Sequence, residues 1–282
     1  MKALIKIKKL LNDNSLDAYI IPKNDEFFGE YAFPNRLKTA TNFSGSAGFA
    51  LITKLTNYLF VDGRYLIQSK IECGKNFKIV EIPYSYPKNI LNYNKIKKVG
   101  YDPKLFTSLT LERYFGYKFQ LISVKENFVD SFILEKKKKI KSFFKIEDKV
   151  VGEKVASKIN RLHKILKKKG SSNIFISAPE NVAWLLNIRG NDNPNSPIPN
   201  SRLILDKYKN IFFFCDLKKI KNIRKRIKYK KIKFLNFNQF FDVVSNLNQK
   251  NFAIDKLTCS VYFQSLIESR FNINLYEDPI YH

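Results

Sequence analysis

Histidine is almost missing from this chain: His163 and the terminal His282 are the only two in 282 residues. Cysteine is scarce too, with Cys73, Cys215 and Cys259 widely separated. Hydrolases built on a metal or an activated nucleophile draw on imidazole, thiolate or converging carboxylates. The carboxylates here are scattered, so no such set assembles and no metal or catalytic residue is assigned. His163 sits among lysines on a helix and reads as a surface or packing residue. Three lone cysteines form no C-x-x-C pair and no disulfide framework, which suits a reducing cytoplasm. Long apolar runs are also lacking, so no membrane span is expected. The opening MKALIKIKKLLNDNSLDAYII threads charges through its apolar positions, unlike a signal peptide.

Acidic residues are few: 25 Asp and Glu stand against 51 Lys and Arg, a net charge of +26. Lysine dominates, and it is accompanied by Asn, Ile, Phe and Tyr, all types that A/T-rich codons encode. An AT-rich bacterial genome therefore accounts for the charge. A polyanion-binding stripe would mix arginine with aromatics in one place, so no specific nucleic acid is expected. The 44% hydrophobic and 15% aromatic content instead predicts ordered domains with real cores.

The patterning alternates helix and strand in two series, which predicts an α/β fold of two consecutive domains. In the first, a helix over Ile5–Leu11 precedes a buried strand ending at Pro22. Phe43–Thr53 runs from a small-residue turn into a strand whose hairpin partner is Asn57–Asp62, and a helix follows Gly63. Further strands are predicted at Phe77–Ile82, around Tyr101 and at Phe119–Val124, with a helix over Thr107–Phe115. The second series begins after Gly152 with a helix carrying Val155, Ile159, Leu162 and Leu166 on one face. It continues with a strand at Asn173–Ser177, a helix from Pro179, strands at Leu203–Asp206 and Ile211–Phe214, and a basic helix over Lys218–Lys228. The basic run Lys136–Lys139 marks the boundary, so the domains are placed at 1–135 and 151–282 with a linker at 136–150. The halves share a rhythm but no obvious sequence repeat.

Local motifs read mainly as structure. Asp62 can cap the turn that Gly63 opens, with Arg64 expected to pair with an acid such as Asp25 or Glu26. Ser44-Gly45-Ser46-Ala47-Gly48 lacks the spacing of a phosphate-binding loop and of a nucleophile elbow. Small residues there permit a tight turn and close packing. Trp184 lies on an apolar helix face. Arg189, Asn191 and Asp192 enter a long loop with three prolines.

Several ordered segments resemble a known family. IPKNDEFFGEY, TNFSGSAGFALIT and LFVDGRYLIQ resemble the N-terminal domain of Xaa-Pro aminopeptidases (aminopeptidase P, creatinase-like). ENVAWLLNIRGNDNPNSPI resembles their middle domain. The resemblance implies two creatinase N-terminal-like domains, each a mixed sheet flanked by helices. It also implies that metal chemistry belongs elsewhere. In the family a further "pita-bread" domain holds two divalent ions, typically manganese, and FNINLYEDPIYH looks like the bridge into it. No cofactor is therefore expected in this chain, which reads as truncated and as a pseudoenzyme without peptidase activity alone. Asn24, Asp25, Glu26 and Arg64 are the implied cleft-rim residues, followed by Arg189, Asn191 and Asp192. Phe27 stands where the family commonly has a histidine, which weakens the expectation of substrate contact. A homodimer and a separately encoded catalytic domain, for which this chain would be the gating subunit, are the candidate partners. An oligomerisation or binding module is the remaining alternative.

Overall fold

The computed structural model describes residues 2–31, 33–93, 95–133, 140–248 and 251–281. The four-lysine run at 136–139 and His282 lie outside the described residues. The chain divides into two units at Lys136/Lys137.

Unit one begins with α1 (Lys2–Asp13), whose Leu4, Ile7 and Leu11 are buried on one face while lysines fill the other. β1 (Ala18–Pro22), α2 (Arg36–Thr41), β2 (Phe49–Thr53) and β3 (Asn57–Val61) follow. Then come α3 (Leu66–Cys73), β4 (Lys78–Glu81), α4 (Pro87–Ile90), β5 (Lys98–Tyr101), α5 (Ser108–Phe115) and β6 (Gln120–Ser123). The six strands form one sheet in the order β4-β3-β2-β1-β5-β6. Only β2 runs against the rest, through antiparallel pairing with both β1 and β3. The β1–β5, β5–β6 and β3–β4 pairs are parallel.

Such a sheet must be covered on both faces. On one face Tyr19, Ile21, Ala50, Ile52, Leu59 and Val61 pack against the apolar stripe of α1 and against Leu37 of α2. On the other, Phe49 stacks between Phe60 and Tyr114 at 4.5 and 4.2 Å. Gly48 opens β2 at φ +137°, where a Cβ would lie 2.7 Å from the Phe60 carbonyl oxygen. Only glycine fits that approach.

Unit two contains β7 (Phe144–Lys145), α6 (Asp148–Val151), α7 (Val155–Lys168), β8 (Asn173–Ile176) and α8 (Pro179–Leu186). β9 (Ile188–Arg189), β10 (Arg202–Leu205), β11 (Ile211–Phe214) and β12 (Ile232–Leu235) come next. α9 (Phe240–Ser245), β13 (Asn251–Asp255), α10 (Val261–Glu268) and β14 (Asn272–Tyr276) complete it. Its sheet order is β12-β11-β10-β8-β13-β14, with β10 alone reversed. This is the topology of unit one, strand for strand. α7 covers one face through Val155, Ile159, Leu162 and Leu166. α9 and α10 cover the other, where Phe175 meets Phe240 and Phe263 at 5.0 and 5.2 Å. β7 and β9 form a separate antiparallel pair, and the neighbouring Phe143 is fully buried.

One expected helix is not formed. Residues 218–228 make a 3-10 turn at Leu217–Lys219 followed by hydrogen-bonded turns. Ile220, Ile223 and Ile227 are nevertheless buried as a stripe. Helical geometry would bring Lys221 beside Arg224 and Lys225, and Arg224 beside Lys228, with no carboxylate between them. The same like-charge spacing is accommodated in α7, where Lys164 lies three and four residues from Lys167 and Lys168. Repulsion of a few tenths of a kcal/mol per pair therefore does not by itself explain the break. The turns keep the Arg224 N–H to Ile220 carbonyl and Ile227 N–H to Ile223 carbonyl bonds at 3.0 Å each without extending into a continuous helix.

Candidate functional site

Within each sheet five strands point one way, so one end collects five C-termini, where ligands of open α/β sheets usually bind. The polar side chains at that end are turned back onto the chain. After β3, the Asp62 carboxylate accepts from the Arg64 N–H at 3.0 Å; after β11, Asp216 accepts from Lys218 N–H at 3.0 Å. After β5, Asp102 accepts from Lys104 N–H at 3.0 Å; at the last residue of β13, Asp255 accepts from Leu257 N–H at 2.9 Å. Past β6, Asn127 accepts from Val129 N–H at 3.0 Å, and past β14 Asp278 accepts from Ile280 N–H at 2.9 Å. These are the same two-residue Asx turns at three matched positions of the two units.

The residues singled out in unit one share this end of the sheet without forming one cluster. Asn24 donates to the Leu105 carbonyl at 2.9 Å and tethers the loop after β1. Asp25, buried, accepts from Phe27 N–H at 2.9 Å and Gly29 N–H at 3.1 Å. Burial pushes its carboxyl above the ordinary value, against those hydrogen bonds. Glu26 pairs with Arg36 at 2.7 Å. The expected pairing of Arg64 with Asp25 or Glu26 is therefore corrected: Arg64, largely exposed, forks onto Asp62 at 2.9 and 2.8 Å. Arg36 takes the place expected of Arg64, because its side chain enters the buried side of α2 while Arg64 projects from a surface turn. It also holds Asp130 through two bonds of 2.6 and 3.1 Å, a bidentate geometry suited to guanidinium.

In unit two, Arg189 donates to the Ile188 and Ala183 carbonyls at 2.8 and 3.3 Å. Asn191 is exposed. Asp192 accepts from the Asn200 N–H at 2.7 Å and forms an ion pair with Lys219 that is mostly shielded from water. Trp184 packs on the core, and its ring carries the Lys158 ammonium 4.0 Å from its centre. Lys158 is buried and donates to the Trp184 carbonyl at 2.8 Å and to Asn187 at 2.7 Å, closing the C-terminus of α8. His163 bonds the Lys207 carbonyl at 2.8 Å.

Sequence reading missed Arg36, Asp130, Lys158 and Asp278. It gives Asp62 a capping role but passes over the recurrence: YDPKL, CDLK and IDKLT likewise place an aspartate at the end of a strand or within two residues of it. Among the described residues no three His, Cys, Asp or Glu side chains are grouped to hold a metal ion. The carboxylates at the strand ends each close their own turn and are not grouped, so the donor set among the described residues does not fit a two-ion centre. The three cysteines are free and buried, with thiols pushed up by burial, to about 11 for Cys73 and about 12 for Cys215. Poor thiolates of this kind are inert.

Two measurements check this geometry. Arg36→Leu is expected to lower stability by about 2 kcal/mol in urea unfolding, from lost charge-assisted hydrogen bonds partly screened by water. Arg64→Leu should leave the urea midpoint unchanged. Asp278 provides a pH readout: burial pushes its carboxyl from 3.8 up to about 6, over the opposing Ile280 and Asn181 hydrogen bonds. The folded state thus binds this proton more tightly, and stability falls as pH rises between those values. Asp278→Asn should flatten that fall by about 3 kcal/mol; parallel stability curves for the two proteins would contradict it.

Residues 4–132 and residues 135–282 each match the creatinase/prolidase N-terminal domain. Xaa-Pro aminopeptidase 1 of Dictyostelium discoideum is 31% identical over 240 residues, covering 78% of this chain and 38% of its own. A probable Xaa-Pro aminopeptidase P of Laccaria bicolor is 32% identical over 209 residues, 69% of this chain and 32% of its own. The crystal structure of an X-prolyl aminopeptidase from Caenorhabditis elegans, a cytosolic enzyme with a di-nuclear active site, superposes with a TM-score of 0.86. That alignment covers 99% of this chain and 50% of the other at 22% identity, a likeness of fold. The chain spans about a third to a half of the length of these relatives. With two successive matches across nearly its whole length, the chain belongs to the creatinase/prolidase N-terminal domain family.

Proposed function

We propose that these residues form the two-domain, non-catalytic part of an Xaa-Pro aminopeptidase, with hydrolysis assigned to a metal-binding domain outside them. The observation that carries this reading is the use of the strand-end carboxylates. Asp62, Asp102, Asp216, Asp255 and Asp278 each accept a backbone N–H two residues on. Each closes its own turn, and among the described residues no converging set is grouped to bind ions and activate water. The matched share of the aminopeptidase relatives supports the same reading.

The domains we assign run over 1–135 and 151–282, joined by the basic segment 136–150, whose second half contributes Phe143 and β7 to unit two. Arg64 and Asn191 project to solvent and suit contact with a peptide or a partner surface. Asn24, Asp25, Glu26, Arg189 and Asp192 act behind them by holding the loops in place. The partners are the catalytic domain and a second copy of the chain. A cytoplasmic setting fits three buried, unpaired thiols, and among the described residues no helix is long and apolar enough to cross a membrane.

The purified chain, given manganese and an Xaa-Pro peptide, should release no N-terminal residue. Turnover that a chelator abolishes would overturn this function.

A further inference from the structure

The segment between β11 and β12 occupies the topological place that α3 fills in unit one, between β3 and β4. There a helix packs beside the edge of the sheet. In unit two the charged turns replace it, and an open groove of about 900 Å³ lies along β12. Its floor is apolar, made by Ile220, Ile227, Ile232 and Phe234. Its rim carries Lys221, Arg224, Lys225, Lys230 and Lys233, all exposed, and no carboxylate lines it. None of these five cations forms an ion pair among the described residues.

β12 is also an edge, with β11 its one neighbour among the described residues. The Ile211 and Cys215 N–H groups donate to the Lys231 and Leu235 carbonyls at 2.7 and 3.0 Å. Because a strand alternates the direction of its backbone groups, those of Ile232 and Phe234 point outward from the sheet. Unpaired edge groups are a template for a further strand.

We propose that this groove docks an acidic polypeptide segment in extended conformation, added parallel or antiparallel to β12. Its backbone would pair with Ile232 and Phe234, its apolar side chains would enter the floor, and its carboxylates would meet the basic rim. This combination favours a peptide over a nucleic acid. The aromatic rings here are not free for base stacking: Phe234 packs edge-on against Phe213 at 5.7 Å, and the Tyr229 hydroxyl donates to the Lys209 carbonyl at 2.8 Å. The inference is independent of the aminopeptidase assignment.

Fluorescence anisotropy of the full chain with a short labelled peptide alternating glutamate and valine tests it. Saturable, salt-sensitive binding is expected, weakened about tenfold or more by combined Lys221→Glu, Arg224→Glu and Lys233→Glu. These positions are exposed, so an unchanged circular dichroism melt accompanies the loss. The same peptide N-methylated at alternate residues, which keeps every charge but removes edge donors, should bind the unaltered protein at least about tenfold more weakly. Equal binding of the methylated peptide would overturn the proposal. So would a uridine oligonucleotide or phosphatidylserine vesicles that displace the peptide and lose affinity in the same variant.

Discussion

Each unit rests on one constraint: a six-stranded, mostly parallel sheet that must be dry on both faces. In unit two, Ile174, Ile176, Leu203 and Leu205 fill one face while Phe175, Ile204, Phe252 and Ile254 fill the other. Full burial of each such side chain contributes about 1.5–3 kcal/mol. Polar chemistry is thereby confined to the strand ends and connections. There the chain must turn sharply into the next element, and aspartates supply acceptors for backbone N–H groups that would otherwise lack partners. These carboxylates lie at separate strand ends, and among the described residues no three are grouped as an ion site requires.

The two units solve this problem in the same way. Matching strand order, matching direction and matching Asx turns after three pairs of strands make the second half a structural repeat of the first. Their divergence is as informative as their likeness. Where unit one has α3, unit two has a run of lysines and arginines pinned by Ile220, Ile223 and Ile227. Hydrophobic anchoring is kept there while helical hydrogen bonding is reduced to isolated turns, and the edge strand is left uncovered.

Much of the fold was legible beforehand. Long periodic segments such as α7, with Val155, Ile159, Leu162 and Leu166 on one face, and dense apolar strands such as β1 and β8 announce themselves by spacing. The basic segment misled because its isoleucines carry the helical period, yet the chain there forms successive turns in place of a continuous helix. β12 was missed because IKFL is flanked by lysines on one side and reads as a continuation of that segment. The candidate site was less legible. Arg36 and Asp130 meet across 94 residues of sequence, with Glu26 joining them, and long-range ion pairs leave no local signature. The strand-end aspartates did leave one, visible only once the strands of the two halves are set side by side.

Carboxylates spread over separate strand ends, with no three grouped among the described residues, offer no grip for a pair of catalytic ions. Titrating manganese into the purified chain, followed by calorimetry and native mass spectrometry, tests this most directly. The account predicts weak, non-stoichiometric association with no retained metal. A tightly held pair of ions, stoichiometric with this polypeptide alone, would contradict it.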